Sequence, residues 1–359
     1  MKMTLRLIAV AALLACTAAS AQDSSSITQL GSNGVAAINQ FGNRVANQAT
    51  ILQNSGDGND ATINQHRLGT EAFPPPGATQ ATITQDGNSN STRIDQHDSN
   101  RSLADVTQNG DRNQMNILQA NADQASVTSA QNGSDNVATV KETDIANDAG
   151  NFTAGVKLQQ TGNGNLANIT KYAIDGLPAS VTQTGNLNVA DVTQTGQNGE
   201  AGTLQVGNHN SVQVNQESGG LVNLGVMQLG DGNVARGSQW NLTNSFQSVT
   251  QTGNSNVADV KQHDGYGLPA FVAQVGNFNS AYIDQSGTNG SVFTSQQGDY
   301  NELNVTQHST GGLDAPNTII ITQASNYNVA NVSQSGAGFS ANISQSGGDG
   351  NVAVINQQF

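Results

Sequence analysis

The side chains best able to do chemistry in this sequence are few and scattered. Four of the five histidines, His66, His97, His263 and His308, directly follow a glutamine. Histidines hold a metal when they converge with cysteine or carboxylate ligands. His66 and His97 fall on consecutive repeats and could stack, but no cysteine or fixed carboxylate accompanies them. They read as polar residues at strand ends, with a weak pH or metal effect on assembly as the sharper alternative. The segment GGDGNVAVI (347–355) resembles one turn of a calcium-binding β-roll, yet Asn351 stands where that roll needs Asp, and the other repeats lack the second glycine pair. Asp95, Asp105, Asp191, Asp259 and Asp284 are spread along outward strand positions. Acid–base chemistry would need them clustered in a cleft. They read instead as gatekeepers against lateral aggregation. Thr182/Thr184, Thr193/Thr195 and Thr250/Thr252 are Thr-x-Thr pairs, as in ice-binding solenoids, on too few repeats to make a flat array. No nucleophile elbow, phosphate loop or metal motif occurs. The chain is expected to be no enzyme and to need no cofactor.

Side-chain amides, by contrast, recur at fixed spacing. QTGNLNVADVTQ (183–194) returns fourteen times in altered form, mostly every 22 or 23 residues. The opening glutamines are Gln29, Gln53, Gln85, Gln108, Gln131, Gln160, Gln183, Gln205, Gln228, Gln251, Gln274, Gln296, Gln323 and Gln345. A closing glutamine usually follows eleven residues on, as at Gln40, Gln96, Gln194, Gln216, Gln262, Gln285 and Gln334, with Gln357 ending the series. Glycine falls two residues after the opening glutamine and asparagine five after it: Gly185 and Asn188, Gly253 and Asn256, Gly276 and Asn279.

Elements able to position these amides follow from the alternation around them. Ala190, Val192 and Gln194 share one parity and Asp191 and Thr193 the other. Period two with β-branched residues means short strands, and Gly-Asn pairs between them accept positive φ. A unit of about 23 residues cannot bury a core alone, so its copies must stack. The expected fold is all-β: a β-solenoid of about fourteen strand–turn–strand rungs in two facing parallel sheets. Inward amides are costly unless satisfied. Stacked in register, each can donate to one neighbour and accept from the other, as in an Asn/Gln ladder. A one-residue slip would turn every glutamine outward, so the ladder also fixes register.

Two departures sharpen this expectation. Glu142 and Lys171 occupy the closing position of neighbouring repeats, so they should form an inward ion pair in place of one ladder step. The ninth repeat has Gly237 where Val or Ile is expected before Gln239 and reads as weakened. Insertions at 66–80, with Pro74, Pro75 and Pro76, and around Asp144–Phe152 and Thr310–Pro316 read as loops. The repeat resumes in phase after each, which suggests one repeat domain over 29–359 preceded by a short segment at 22–28.

Residues 1–21 read as a secretory signal. Lys2 and Arg6 begin it, Leu7 to Ala15 form an apolar stretch too short to span a bilayer, and Ala19-Ser20-Ala21 fits cleavage before Gln22. Leu13-Leu14-Ala15-Cys16 loosely resembles a lipoprotein signal, but the later site fits ordinary cleavage better. Cys16 is the single cysteine, so the mature chain should have no disulfide. Two of the twelve basic residues lie in the signal, leaving ten against 26 acidic ones, a net charge of −16. Nucleic acid and anionic membrane are poor partners for that surface, and no membrane insertion is expected.

The pattern Q-x-G-x-x-N-x-A-x-[VI]-x-Q, at 183–194 and 251–262, is similar to the curlin repeat of bacterial curli fibres, and the resemblance covers nearly the whole mature chain. It implies a secreted subunit that polymerises as functional amyloid in the biofilm matrix and serves adhesion at the surface of a Gram-negative bacterium. It also implies export through an outer-membrane channel and a nucleator subunit as partner. The chain is longer than the familiar five-repeat subunit and lacks its long Gly-rich leader. The regular last repeat favours the major subunit type over the nucleating one. The repeats begin soon after the cleavage site and run to Phe359, so both edges are expected to be uncapped and copies to add head to tail. The alternatives are a monomeric, calcium-ordered repeat-rod adhesin and the nucleating minor curlin subunit.

Overall fold

The computed structural model describes residues 14–15, 23–43, 46–68, 78–145, 155–172, 178–196, 199–312 and 314–359. The cleavage site of the signal, the three prolines 74–76 and most of the insertion near 146–154 lie outside the described residues. Leu14 and Ala15 bridge Ile38 and Asn39. The chain divides into two compact units, Met1–Gly176 and Leu177–Phe359.

Each unit is a β-solenoid, and no helix long and apolar enough to cross a membrane occurs among the described residues. The described residues of the first unit form six rungs, from Ser24–Gln29 with Val35–Phe41 to Gly155–Thr161 with Leu166–Tyr172. Alternation makes the strands: in Gln80–Asp86, Ala81, Ile83 and Gln85 are buried while Thr82 and Thr84 face outward. Opening strands pair with the next opening strand, parallel and residue for residue, as Ala49 with Ala81 and Gln53 with Gln85. Closing strands do the same on the other side, as Gln65 with Gln96. Between the two sheets run rows of fully buried Ile and Val: Ile51, Ile83 and Val106 against Ile63, Ile94 and Ile117. Each such side chain stabilises the fold by about 1.5–3 kcal/mol.

The described residues of the second unit form eight rungs, from Ala179–Thr184 with Val189–Thr195 to Ser340–Gln345 with Val352–Gln358. Ser211–Leu229 and Val234–Thr252 are each 19 residues long. They are a closing strand and the following opening strand joined, because pairing persists round the corner from Glu217–Trp240 to Gly219–Leu242.

Where the inward pattern is broken, volume is exchanged across the core. In the first unit Met115 replaces the small residue of a closing strand, and Ser129 replaces the Val or Ile of an opening strand, with Ser129 Oγ 3.8 Å from Met115 Sδ. In the second unit Gly237 is matched by Leu224 and by an inward Gln247, both fully buried or nearly so. A Cβ at Gly237 would lie 2.6 Å from Gln247 Nε2 and 2.7 Å from Leu224 Cδ1. The ninth rung is therefore filled rather than weakened, which corrects the reading of Gly237 as a defect.

Candidate functional site

Amide columns dominate both solenoids. In the first unit the opening column runs Gln29, Gln53, Gln85, Gln108, Gln131, Gln160, each Nε2 donating to the next Oε1 at 2.7–2.9 Å. The closing column runs Gln40, Gln65, Gln96, Gln119 in the same direction at 2.7–2.8 Å. The second unit repeats this from Gln183 through Gln205, Gln228, Gln251, Gln274, Gln296 and Gln323 to Gln345. Its closing column runs from Gln194 through Gln216, Gln239, Gln262, Gln285, Gln307 and Gln334 to Gln357. Every step points the amide NH2 toward the C-terminal rung.

That common direction has a local cause. From the second rung on, Nε2 also donates to a backbone carbonyl of the facing sheet, as Gln108 to Ser91 O at 3.3 Å and Gln119 to Leu103 O at 3.2 Å. With one hydrogen held there, flipping an amide would set its Oε1 against that carbonyl. All ladder glutamines named from the sequence lie in these columns, and most are fully buried. Gln29 and Gln357, on the first and last described rungs, are half-buried.

Glu142 and Lys171 complete the closing column of the first unit, paired residue for residue. Gln119 Nε2 donates to Glu142 Oε2 at 2.8 Å, and Lys171 Nζ lies 3.6 Å from Glu142 Oε1, with neither side chain exposed. Burial pushes the Glu142 carboxyl up, against the pull of the Lys171 ammonium, and pushes Lys171 down, against the pull of Glu142. The expected inward pair is present. Its order matters: Glu142, which only accepts, follows the donating Gln119.

A second kind of column lines the turns, and sequence reasoning caught only part of it. Asn188, Asn256 and Asn279 belong to a run that also includes Asn210, Asn233, Asn301, Asn328 and Asn351. Each Nδ2 donates backward to the preceding Oδ1 at 2.8–3.1 Å. Asn210, Asn233, Asn256 and Asn279 use their second hydrogen on a glycine carbonyl, as Asn256 on Gly276 O at 2.8 Å, while Oδ1 also accepts the next backbone N–H. Asn113, Asn136 and Asn165 donate backward in the same way in the first unit, while Asn90 reaches Asn59 Oδ1 through its backbone N–H. The asparagine dipoles therefore oppose the glutamine dipoles along the stack. Glycine is required beside this column: Gly185 has φ +117°, and a Cβ there would strike the Gly207 carbonyl of the next rung.

The other chemistry-bearing residues stay dispersed. His66 stacks between Phe41 at 5.0 Å and His97 at 5.1 Å, with Asp95 Oδ1 3.5 Å from its Nε2. Burial lowers the His66 pKa more than Asp95 raises it. His263 stacks on Trp240 at 4.6 Å and bonds Asp264 and Asp284. His308 Nδ1 meets Ser286 Oγ at 2.9 Å. Among the described residues no three His, Cys, Asp or Glu side chains converge to hold a metal. Asp349, in the β-roll-like segment, accepts the Asn326 N–H at 3.0 Å as one more rung of a turn column. Gln247 is a buried amide that sequence reasoning missed; it donates to Val260 O at 3.3 Å and stands outside both ladders. The available signal was Gly237, an absent side chain that something else had to fill. No family model matches the sequence, and no curated protein is significantly similar to it.

Proposed function

We propose that this chain is a structural subunit whose function is its own end-to-end assembly into extracellular amyloid fibres of the curli kind. The observation that carries the reading is the direction of the ladders at their two ends. Among the described residues nothing donates to Gln29 Oε1 or Gln40 Oε1 of the first rung, and Gln357 Nε2 of the last rung bonds only Ser340 O at 3.2 Å. The first described rung offers amide acceptors and the last an amide donor. The inward residues of the last strand, Ala353, Ile355 and Gln357, are half-buried where their counterparts in the strand before, Ala330, Val332 and Gln334, are buried. Another copy stacking there would extend the columns without a break in polarity and cover that apolar surface. Leu14 and Ala15, which pair with Ile38 and Asn39, belong to the segment read as a signal, so its removal would expose that edge.

By the same resemblance, the subunit would leave the cell through an outer-membrane channel and start on a nucleator subunit, contributing to biofilm matrix and adhesion. The test is the purified chain without residues 1–21. It should polymerise after a lag into dye-binding fibres with reflections near about 4.8 and 10 Å. A chain that stays monomeric at high concentration, with no fibres by electron microscopy, overturns the reading.

A further inference from the structure

The two outer faces of the second unit differ in charge. Outward positions of the closing strands carry Asp191, Glu217, Arg236, Asp259, Lys261, Asp284 and Glu302. Outward positions of the eight opening strands, from Ala179 to Gln345, carry one charge, Glu200. In a chain of net charge −14, this is the broad face on which two copies approach with least repulsion.

The relief of that face is ordered. Register stacks one outward column as Ser180, Gly202, Gly225, Ser248, then Phe271, Phe293, Ile320. Its first half is an open trough of ≈ 430 Å³, floored by Gly202 and Gly225 and walled by Leu204 and Met227. Its second half is a ridge in which Phe271 and Phe293 stack at 5.1 Å, with Phe293 and Ile320 about two-fifths exposed. The adjacent column runs the other way, Leu204 and Met227 first, then Ala273, Ser295 and Thr322.

Gly225 has no intramolecular explanation. Its φ is not positive, and a Cβ there would meet nothing within 4 Å. Glycine inside a strand weakens it and marks close approach by another body.

We propose that the opening face of residues 177–359 is a lateral docking surface for a second copy of this chain, set antiparallel about a two-fold axis between Ser248 and Phe271. That operation places Ser248 against Phe271, Gly225 against Phe293 and Gly202 against Ile320. It also sets Met227 against Ser295 and Leu204 against Thr322. Bulk meets space in both columns at once, as an isologous interface requires. Eight strands about 4.8 Å apart and about five residues wide give roughly 600 Å² per copy. The total, roughly 1,200 Å², is at the lower bound for a specific interface. The pairing is independent of end-to-end growth.

Cross-linking the full chain, with Cys16→Ser, tests it. Chains bearing Gly225→Cys are mixed with chains bearing Phe293→Cys and treated with a bismaleimide spanning the about 10 Å between packed sheets. Cross-links between the two variants should exceed those within either variant by at least tenfold. Both positions face solvent, so both variants should fold, and circular dichroism checks this. Same-variant links in equal or greater yield would mean parallel, same-rung packing and overturn the proposal. So would an absence of links at concentrations where copies associate, which would leave the face to a different occupant. Gly225→Leu should abolish lateral pairing. Fibre length, scored by electron microscopy in the same samples, separates lost pairing from lost end-to-end growth.

Discussion

The closing columns of the two units solve one problem in two ways. From Gln194 to Gln357 the second unit uses glutamine at every step. The first unit uses glutamine only to Gln119, then Glu142 and Lys171. Along the glutamines both columns donate toward the C-terminal rung, but at the pair the sense reverses, because Glu142 accepts from Gln119 before it and faces the Lys171 ammonium after it. The column therefore requires that each amide NH2 meet an acceptor on the next rung, and glutamine is one residue that supplies it. An ion pair serves if the acceptor comes first. It is also the less forgiving solution, because two buried charges are tolerable only together.

Breaking the pair should produce the largest effect. Glu142→Gln removes the counter-charge of a fully buried Lys171 and should destabilise by about 3–5 kcal/mol. The double variant Glu142→Gln/Lys171→Gln converts the first unit to the second unit's arrangement. It should recover wild-type stability or exceed it by about 1–4 kcal/mol. Urea midpoints of the monomeric chain measure both. A double variant as unstable as the single one would mean that the column needs the charges themselves.

Reversing the pair isolates direction from charge. Glu142→Lys/Lys171→Glu keeps both charges but sets an ammonium against Gln119 Nε2. Relief would require Gln119 to flip, losing its bond to Leu103 O and meeting the Gln96 amide NH2, and so on back to Gln40. One buried donor left unsatisfied costs about 1–3 kcal/mol, and the swap should cost at least that much. Stability equal to wild type would show that the amides carry no fixed direction.

The core exchange in the second unit gives a smaller effect. Gly237→Val restores the residue type found in neighbouring rungs, yet it would overlap Leu224 and Gln247. Overpacking of this kind costs about 1–3 kcal/mol. Adding Gln247→Ala should recover most of the loss by vacating the space, whereas without coupling the two changes would simply add. The same urea measurement decides.

How much of this was legible in the sequence depended on which interactions repeat. The glutamine period fixed rung length, strand parity and burial, and each ladder residue predicted from it lies in a column. Glu142 and Lys171 were legible because they break the period at adjacent rungs. Gln247 was not, because its meaning depends on Gly237 in the facing sheet, a partner outside its own column. Ladder direction was invisible too: the glutamine code is the same for either amide orientation, and the choice comes from facing carbonyls such as Leu103 O. The turn asparagines were seen as a column only in part, since their backward donation closes on the carbonyls of neighbouring glycines. The relief of the outer faces needs residues compared one rung apart, which alternation along a strand does not reveal.

The histidine stack tests the outer surface, where effects should be smallest. His66 is held below its ordinary value of 6.5, first by burial between Phe41 and His97, with the charges of His97 and Arg67 adding and those of Asp95 and Asp98 opposing. The unfolded chain therefore binds the proton more readily than the folded chain. Stability from the neutral ring is fully present above pH 6.5 and is lost as pH falls through 6.5 and then through the lower folded value. His66 remains partly exposed at the solenoid surface, so the loss should be a minor part of total stability. Titration of the His66 ring by NMR should give a midpoint below 6.5, and His66→Asn should remove that component of the pH dependence. A midpoint above 6.5 would mean that Asp95, 3.5 Å from Nε2, outweighs burial, and stability would then rise rather than fall on acidification through that range.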